Sequence, residues 1–222
     1  MYKRQSLTSL NLRSNNLGAE GAKALAEGVA VSTSLTSLNL KYNDLGDEGW
    51  CAVFDTLRDN PQNKIKEWDL ARQGINPKIA KSLAAYVAVS PSLTDLSVAD
   101  NNNLGPEGAQ AIAEGVKASK SLKKLDMSNG GGHSSGDIKA EGTKYIADAL
   151  RVSGSLTSIN LCDNNISAEG AKAMCDALSA NDSLTRLDVS FNMLDRGGNG
   201  VQLLRDAVRG RDGFVLIDNN ND

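Results

Sequence analysis

One segment recurs along this chain with little change, and it limits the possible folds more than any other feature. SLTSLNLRSNNL (6–17) returns as SLTSLNLKYNDL (34–45), SLTSINLCDNNI (155–166) and SLTRLDVSFNML (183–194). Looser copies are KIKEWDLARQGI (64–75), SLTDLSVADNNNL (92–104) and SLKKLDMSNG (121–130). The leading apolar residues are Leu7, Leu35, Ile65, Leu93, Leu122, Leu156 and Leu184, spaced by 28, 30, 28, 29, 34 and 28 residues. Self-similarity at such a period means a repeat architecture, in which each unit buries its apolar face only by stacking on the next.

Each copy holds two different periods. Its first half alternates apolar and polar residues, as in Leu10 and Leu12 or Leu38 and Leu40, which predicts a short strand with one face buried. Its second half carries apolar residues four apart, such as Leu25 and Val29, Leu83 and Val87, or Met174 and Leu178. That spacing marks one face of a short helix, and neighbouring alanines favour it. The expected architecture is an α/β solenoid: one domain over 1–222, with repeats starting near 6, 34, 64, 92, 121, 155 and 183. GFVLI (213–217) reads as an additional C-terminal strand. Parallel strands sit about 4.8 Å apart, whereas helices need about 8–10 Å. The stack must therefore curve, with the parallel sheet on the concave side and the helices on the convex side.

The pattern LxxLxLxxNxL, followed by a helix of the GxxxLAxAL type, resembles the ribonuclease-inhibitor-like class of leucine-rich repeats. That class includes the sensing domains of NOD-like receptors and the body of the Ran GTPase-activating protein. The resemblance covers roughly residues 6 to 209 and implies a horseshoe of seven repeats of about 28–29 residues. It implies a non-enzymatic module that recognises a protein or peptide partner on its concave face, since this scaffold hosts many binding roles. It also admits a GTPase-activating regulator as an alternative. No catalytic residue is transferred, because the family's long acidic tail is here only DNNND.

Departures from the repeat locate the candidate contacts. The repeat asparagine falls at Asn15, Asn43, Asn101, Asn164 and Asn192, where it turns the chain out of the strand. Gln73 and Gly130 replace it in copies three and five, which predicts less regular turns there. Polar side chains between the buried leucines face the groove. The column before the last strand leucine reads Asn11, Asn39, Asp69, Ser97, Asp126, Asn160 and Asp188. The second column past the strand holds Ser14, Tyr42, Arg72, Asp100, Asn129, Asp163 and Phe191. Tyrosine, tryptophan and arginine dominate protein hot spots. Tyr42, Arg72, Arg186 and Phe191 are therefore candidate anchors, with Lys124 and Asp126 beside them on the same face. Tyr42 and Phe191 lie five strands apart, about 24 Å at sheet spacing, so a ligand touching both must be a protein or a long peptide. Copy five carries a six-residue insertion within SNGGGHSSGD, and its His133 is a candidate loop contact. Trp50 and Phe54 stand where sibling repeats have alanine and are expected to pack with Trp68.

Other classes find little footing. A single histidine and three cysteines offer neither an acid–base constellation nor a disulfide framework, so no catalytic residue, metal site or cofactor is expected. The net charge of -3 argues against a nucleic-acid partner. No apolar run is long enough to span a membrane, and MYKRQSLTSL lacks the apolar core of a secretory signal, so a cytoplasmic setting is expected. Leu10, Leu12 and Leu25 would line an open N-terminal edge, for which two explanations compete: the chain is a piece of a longer one, or two molecules meet there as a homodimer or self-assembling unit.

Overall fold

The computed structural model describes residues 6–130 and 138–219. Strand and helix alternate throughout: β1 (Ser9–Asn11), α1 (Gly18–Ala30), β2 (Ser37–Asn39), α2 (Gly46–Arg58), β3 (Glu67–Asp69), α3 (Pro77–Val89), β4 (Asp95–Ser97), α4 (Gly105–Ala118), β5 (Lys124–Asp126), α5 (Lys139–Leu150), β6 (Ser158–Asn160), α6 (Ala168–Leu178), β7 (Arg186–Asp188), α7 (Gly200–Val208) and β8 (Val215–Ile217). Every strand pair is parallel and in register, with Leu96, Leu125, Ile159 and Leu187 abreast. Each helix packs on the next along the other side. The core is one layer between sheet and helices, formed by leucines such as Leu70, Leu93 and Leu161 and by Ala22, Ile112 and Met174. The fold is a leucine-rich-repeat solenoid.

Residues that look merely polar in the repeat turn out to tie each unit to its predecessor. The Thr36, Thr94, Thr157 and Thr185 hydroxyls donate to the backbone carbonyls of Thr8, Lys66, Lys123 and Thr157 at 3.0–3.1 Å. Asn101, 4% exposed, donates to the carbonyls of Leu70, Val98 and Ala99 and accepts the N–H groups of Gln73 and Ile75. Asn192 makes the equivalent set with Leu161, Val189, Ser190, Asn164 and Ile166. Buried backbone groups need partners, and here one amide supplies several at once.

The sheet is not continuous. Strands β1 and β2 form one pair, and β3 to β8 form a separate six-stranded sheet. Elsewhere the backbone bonds run on past the strands, as in Leu12 to Asn39 and Leu70 to Ser97. Between the second and third repeats one backbone bond crosses, from Lys66 N–H to the Thr36 carbonyl at 3.2 Å. The bulk of the aromatic side chains accounts for the break. Trp50 and Phe54 of α2 stack at 5.5 Å, and both meet Trp68 of β3 edge-on, at 6.2 and 5.6 Å. Phe54 also stacks on Tyr86 of α3 at 6.3 Å. Sibling repeats mostly have alanine where Trp50 and Phe54 stand, and leucine or isoleucine where Trp68 stands, so the second and third repeats are packed through rings rather than joined by a strand ladder. Gln73 bridges the same gap with its longer side chain, accepting the Tyr42 N–H at 2.9 Å. The backbone of this turn nevertheless keeps the sibling pattern, with Gln73 and Ile75 N–H groups donating to Asn101, so the departure at Gln73 lies in its side-chain reach. Tyr86 is buried, and that burial pushes its phenol above the usual range; its hydroxyl accepts the Asn63 amide at 2.9 Å.

Candidate functional site

The strand face walls a hollow of about 540 Å³, lined by Asn39, Lys41, Glu67, Asp69, Lys124 and Asp126, among others. Trp50 and Trp68 border it at the break in the sheet. A smaller recess of about 410 Å³ opens on the rim beside the same break, between Tyr42, Asp44, Arg72 and Gln73.

The groove column of asparagine, aspartate and serine has a local task that sequence reading missed. The side-chain oxygens of Asn11, Asn39, Asp69, Ser97, Asp126, Asn160 and Asp188 each accept the backbone N–H two residues on, at 3.0–3.4 Å. This is the Asx-turn geometry that steers a chain out of a strand. The signal was available, since every member of the column carries an acceptor at the same position. Asp126 and Asp188 also accept the hydroxyls of Ser128 and Ser190, at 2.7 and 2.6 Å. Asn129, expected in the outer groove column, is instead buried.

The remaining members of that outer column form a row along the rim. Ser14, Tyr42, Arg72, Asp100, Asp163 and Phe191 all adopt left-handed backbone, with φ between 54° and 61°. Asparagine, aspartate and glycine occupy this region at least cost, and bulky side chains there are uncommon. Tyr42 and Phe191 nevertheless take it, and they are 46% and 73% exposed. The Arg13 guanidinium lies 4.7 Å from the Tyr42 ring centre, within cation–π range. Arg72 is drawn sideways to Asp100 at 3.0 Å. Phe191 has Met193 nearby in sequence, also exposed, and its N–H donates to the Asn219 side chain.

Arg186 and Lys124 open their strands and lie lower on the same face. Lys124 pairs with Asp95 at 2.8 Å, and its ammonium pKa is raised by that hydrogen bond. Burial pushes the Asp95 carboxyl up, but the hydrogen bonds from Lys124 and Thr94 outweigh it and leave the pKa below the usual carboxylate value. Lys41 pairs with Asp69 at 2.5 Å across the break. Arg186 has no ionic partner among the described residues. Tyr42, Arg72 and Phe191 thus share the rim row, Lys124, Asp126 and Arg186 share the strand face, and His133 lies outside the described residues. Burial raises the Cys162 thiol pKa, the Ser190 hydroxyl opposes this, and the charges of Asp188, Asp163 and Asp126 add to the rise. Among the described residues no cluster of histidine, cysteine or acidic side chains could hold a metal, and no helix is long and apolar enough to cross a membrane.

The interleaved strands, asparagine ladder and outer helices define the class: a leucine-rich-repeat protein fold. The family model for the leucine-rich repeat matches residues 3–26, 31–50, 89–113 and 153–175. Among solved structures the chain is similar to the leiomodin-1 actin-binding site 2, at 17% identity and a TM-score of 0.53, over 71% of this chain and 88% of that one. It is also similar to the tropomodulin C-terminal domain of Caenorhabditis elegans, at 19% identity and a TM-score of 0.56, over 73% of this chain and 91% of that one. At these identities the likeness is one of fold. No curated protein sequence matches the chain.

Proposed function

We propose that this chain is a protein-interaction module that docks a protein partner on its concave face and the rim above it. The carrying observation is the pair of exposed aromatic side chains, Tyr42 and Phe191, held in left-handed backbone five strands apart in one row. Backbone strain of this kind costs about 1–3 kcal/mol per residue. The repeat turn imposes it at every rim position of the row, and Tyr42 and Phe191 stand apart by placing large exposed rings where Asp100 and Asp163 carry carboxylates. Leiomodin-1 carries an actin-binding site on this fold, which supports a protein rather than a metabolite as the partner class. The test is affinity capture with the wild type and with a Tyr42→Ala/Phe191→Ala variant, read by quantitative mass spectrometry. Loss of a defined set of proteins with the variant is the expected outcome. Identical capture by both would overturn the reading.

A second reading is self-association through the β1 edge. Leu7 is 56% exposed there, with Leu10, Leu12 and Leu25 only partly buried behind it. Sedimentation velocity on wild type and Leu7→Glu decides it: a dimer that dissociates with the variant supports the reading, and a monomer at all concentrations rejects it.

A further inference from the structure

The turn that leaves a strand holds a socket for one side-chain amide, supplied by the next repeat. In the first repeat the Asn15 and Leu17 N–H groups both donate to the Asn43 side-chain oxygen, at 2.7 and 3.3 Å. The Leu12 carbonyl accepts the Asn43 amide nitrogen at 2.7 Å. In the third repeat Gln73 and Ile75 donate to Asn101 at 3.1 and 2.9 Å, and the Leu70 carbonyl accepts from it at 3.0 Å. In the sixth, Asn164, Ile166 and Leu161 treat Asn192 in the same way, each at 2.9 Å. Two donors and one acceptor on one turn match a carboxamide, whose oxygen accepts twice and whose nitrogen donates.

The second repeat builds the same socket, but its neighbour does not fill it. Ser14, Asn16 and Gly18 of the first repeat have φ of 60°, 52° and 61°, and Tyr42, Asp44 and Gly46 have 58°, 51° and 60°. With the backbone repeated, the Asn43 and Leu45 N–H groups converge as those of Asn15 and Leu17 do. The residue placed to meet them is Gln73. Its oxygen accepts the Tyr42 N–H instead, and its nitrogen donates to the Ala71 and Arg72 carbonyls. Among the described residues neither the Asn43 nor the Leu45 N–H has an acceptor. The break in the sheet is the cause. The N–H groups of Leu12 and Ser14 donate to Asn39 and Lys41, and those of Leu70 and Arg72 donate to Ser97 and Ala99. The N–H groups of Leu40 and Tyr42 make no such backbone bond to the third repeat. The second and third turns therefore stand further apart than their siblings. An asparagine at 73 falls short across that gap, and glutamine reaches only as far as Tyr42.

The socket is both costly to leave unmet and open to a visitor. Asn43 and Leu45 are 1% and 2% exposed, and a buried N–H without an acceptor is unfavourable, so these groups favour any oxygen that reaches them. Leu45 lines the rim recess, Leu40 lines the hollow of the strand face, and Trp50 lines both. Tyr42 and Gln73 also line the recess. Its charges select an amide over a carboxylate. Asp44 and Asp47 are on its wall, and Arg72, the cation beside them, is drawn away to Asp100. A carboxylate also has no hydrogen to offer the Leu40 carbonyl.

We infer that the turn of the second repeat receives an asparagine or glutamine side chain of the docked protein, inserted beside Tyr42. Its oxygen takes the Asn43 and Leu45 N–H groups, and its nitrogen donates to the Leu40 carbonyl, as the chain's own asparagines do in the sibling turns. This deepens the docking role proposed above and rests on it: Tyr42 supplies exposed apolar surface, and the socket beside it supplies polar specificity.

The probes are three tripeptides blocked as acetyl and methylamide, each with glycine on either side of a central asparagine, aspartate or leucine. They are titrated into the whole isotope-labelled chain over the millimolar range, and binding is read from the backbone amide resonances. The asparagine probe should move the Asn43 and Leu45 amide protons downfield and saturably. It should leave those of Asn15, Leu17, Asn164 and Ile166 in place, because their own asparagines already hold them. It should bind about tenfold tighter than the aspartate and leucine probes, the worth of two ordinary hydrogen bonds to otherwise unmet groups. Hydrogen exchange gives a second readout. In the free chain Asn43 and Leu45 should exchange faster than Gln73 and Ile75, and the asparagine probe should slow them. Equal affinity for the three probes, the behaviour of groups that only water meets, would overturn the socket. So would a preference for asparagine that leaves the Asn43 and Leu45 resonances unmoved. The capture experiment with Tyr42→Ala/Phe191→Ala reports on the docking role separately. Partners lost in that experiment, together with no asparagine preference here, would keep the docking face and discard the socket.

Discussion

At the scale of single residues, much of the polar content of the groove serves the backbone before it serves any partner. Asn101 alone engages five backbone groups. Replacing it by alanine leaves several of them buried without partners, each costing about 1–3 kcal/mol. Asn101→Ala should therefore lose about 3 kcal/mol in urea unfolding. Gln73→Asn removes one bond, the reach to Tyr42 N–H, and should cost about 1 kcal/mol by the same measurement. The carboxylates that act on Cys162 have their own residue-scale readout in its thiol. Its thiol pKa is raised, first by burial and then in part by Asp188 and Asp163, so less thiolate is present at a given pH. Asp163→Asn/Asp188→Asn keeps an acceptor oxygen for the turn and removes the charge. The thiol pKa should fall and iodoacetamide should alkylate Cys162 faster at pH 8, by about threefold. An unchanged rate would mean the carboxylates are too well screened to act together.

Single elements show what could be read from the sequence and what could not. The two periods within each copy placed all of the strands and helices, because strand alternation and helical spacing are local consequences of which face is buried. GFVLI became β8 at Val215–Ile217 for the same reason. The break between β2 and β3 was not legible. It depends on how much volume Trp50, Phe54 and Trp68 occupy together, a property of three elements at once. Ion pairs across strands escaped for a similar reason. Arg72 looked like a free anchor until Asp100, one repeat on, was placed beside it. Helix glycines make the same contrast testable. A Cβ on Gly115 of α4 would meet the Ala84 carbonyl oxygen of α3 at 2.8 Å and its Cα at 2.9 Å. Backbone cannot give way cheaply, so Gly115→Ala should destabilise by about 1–3 kcal/mol even though alanine is the better helix former. A Cβ on Gly28 of α1 would meet nothing within 4 Å. Gly28→Ala should stabilise by about 0.5–1 kcal/mol. Calorimetric melting of the two variants should move in opposite directions.

For the whole molecule the consequence of the break is a question of cooperativity. A solenoid is held by nearest-neighbour interfaces, and it unfolds as one unit only while each interface is strong. The other interfaces combine a strand ladder with helix packing. The one between the second and third repeats has its ring cluster, the Lys41–Asp69 pair and the Asp47–Asn76 contact, but no strand ladder. Phe54 is at the centre of that cluster, fully buried and touching Trp50, Trp68 and Tyr86. Its truncation to alanine removes about 3–5 kcal/mol, almost all of it from this single interface. The wild type should unfold in one transition. Phe54→Ala should unfold in two, the first two repeats melting ahead of the six-stranded remainder. Trp50 and Trp68 are the chain's two tryptophans and both flank the break, so fluorescence should follow the first transition. Far-ultraviolet circular dichroism should keep most of its amplitude until the second. A Phe54→Ala variant whose fluorescence and dichroism midpoints coincide would show instead that packing between α2 and α3 couples the two parts without the rings, and that the gap in the sheet has no mechanical consequence.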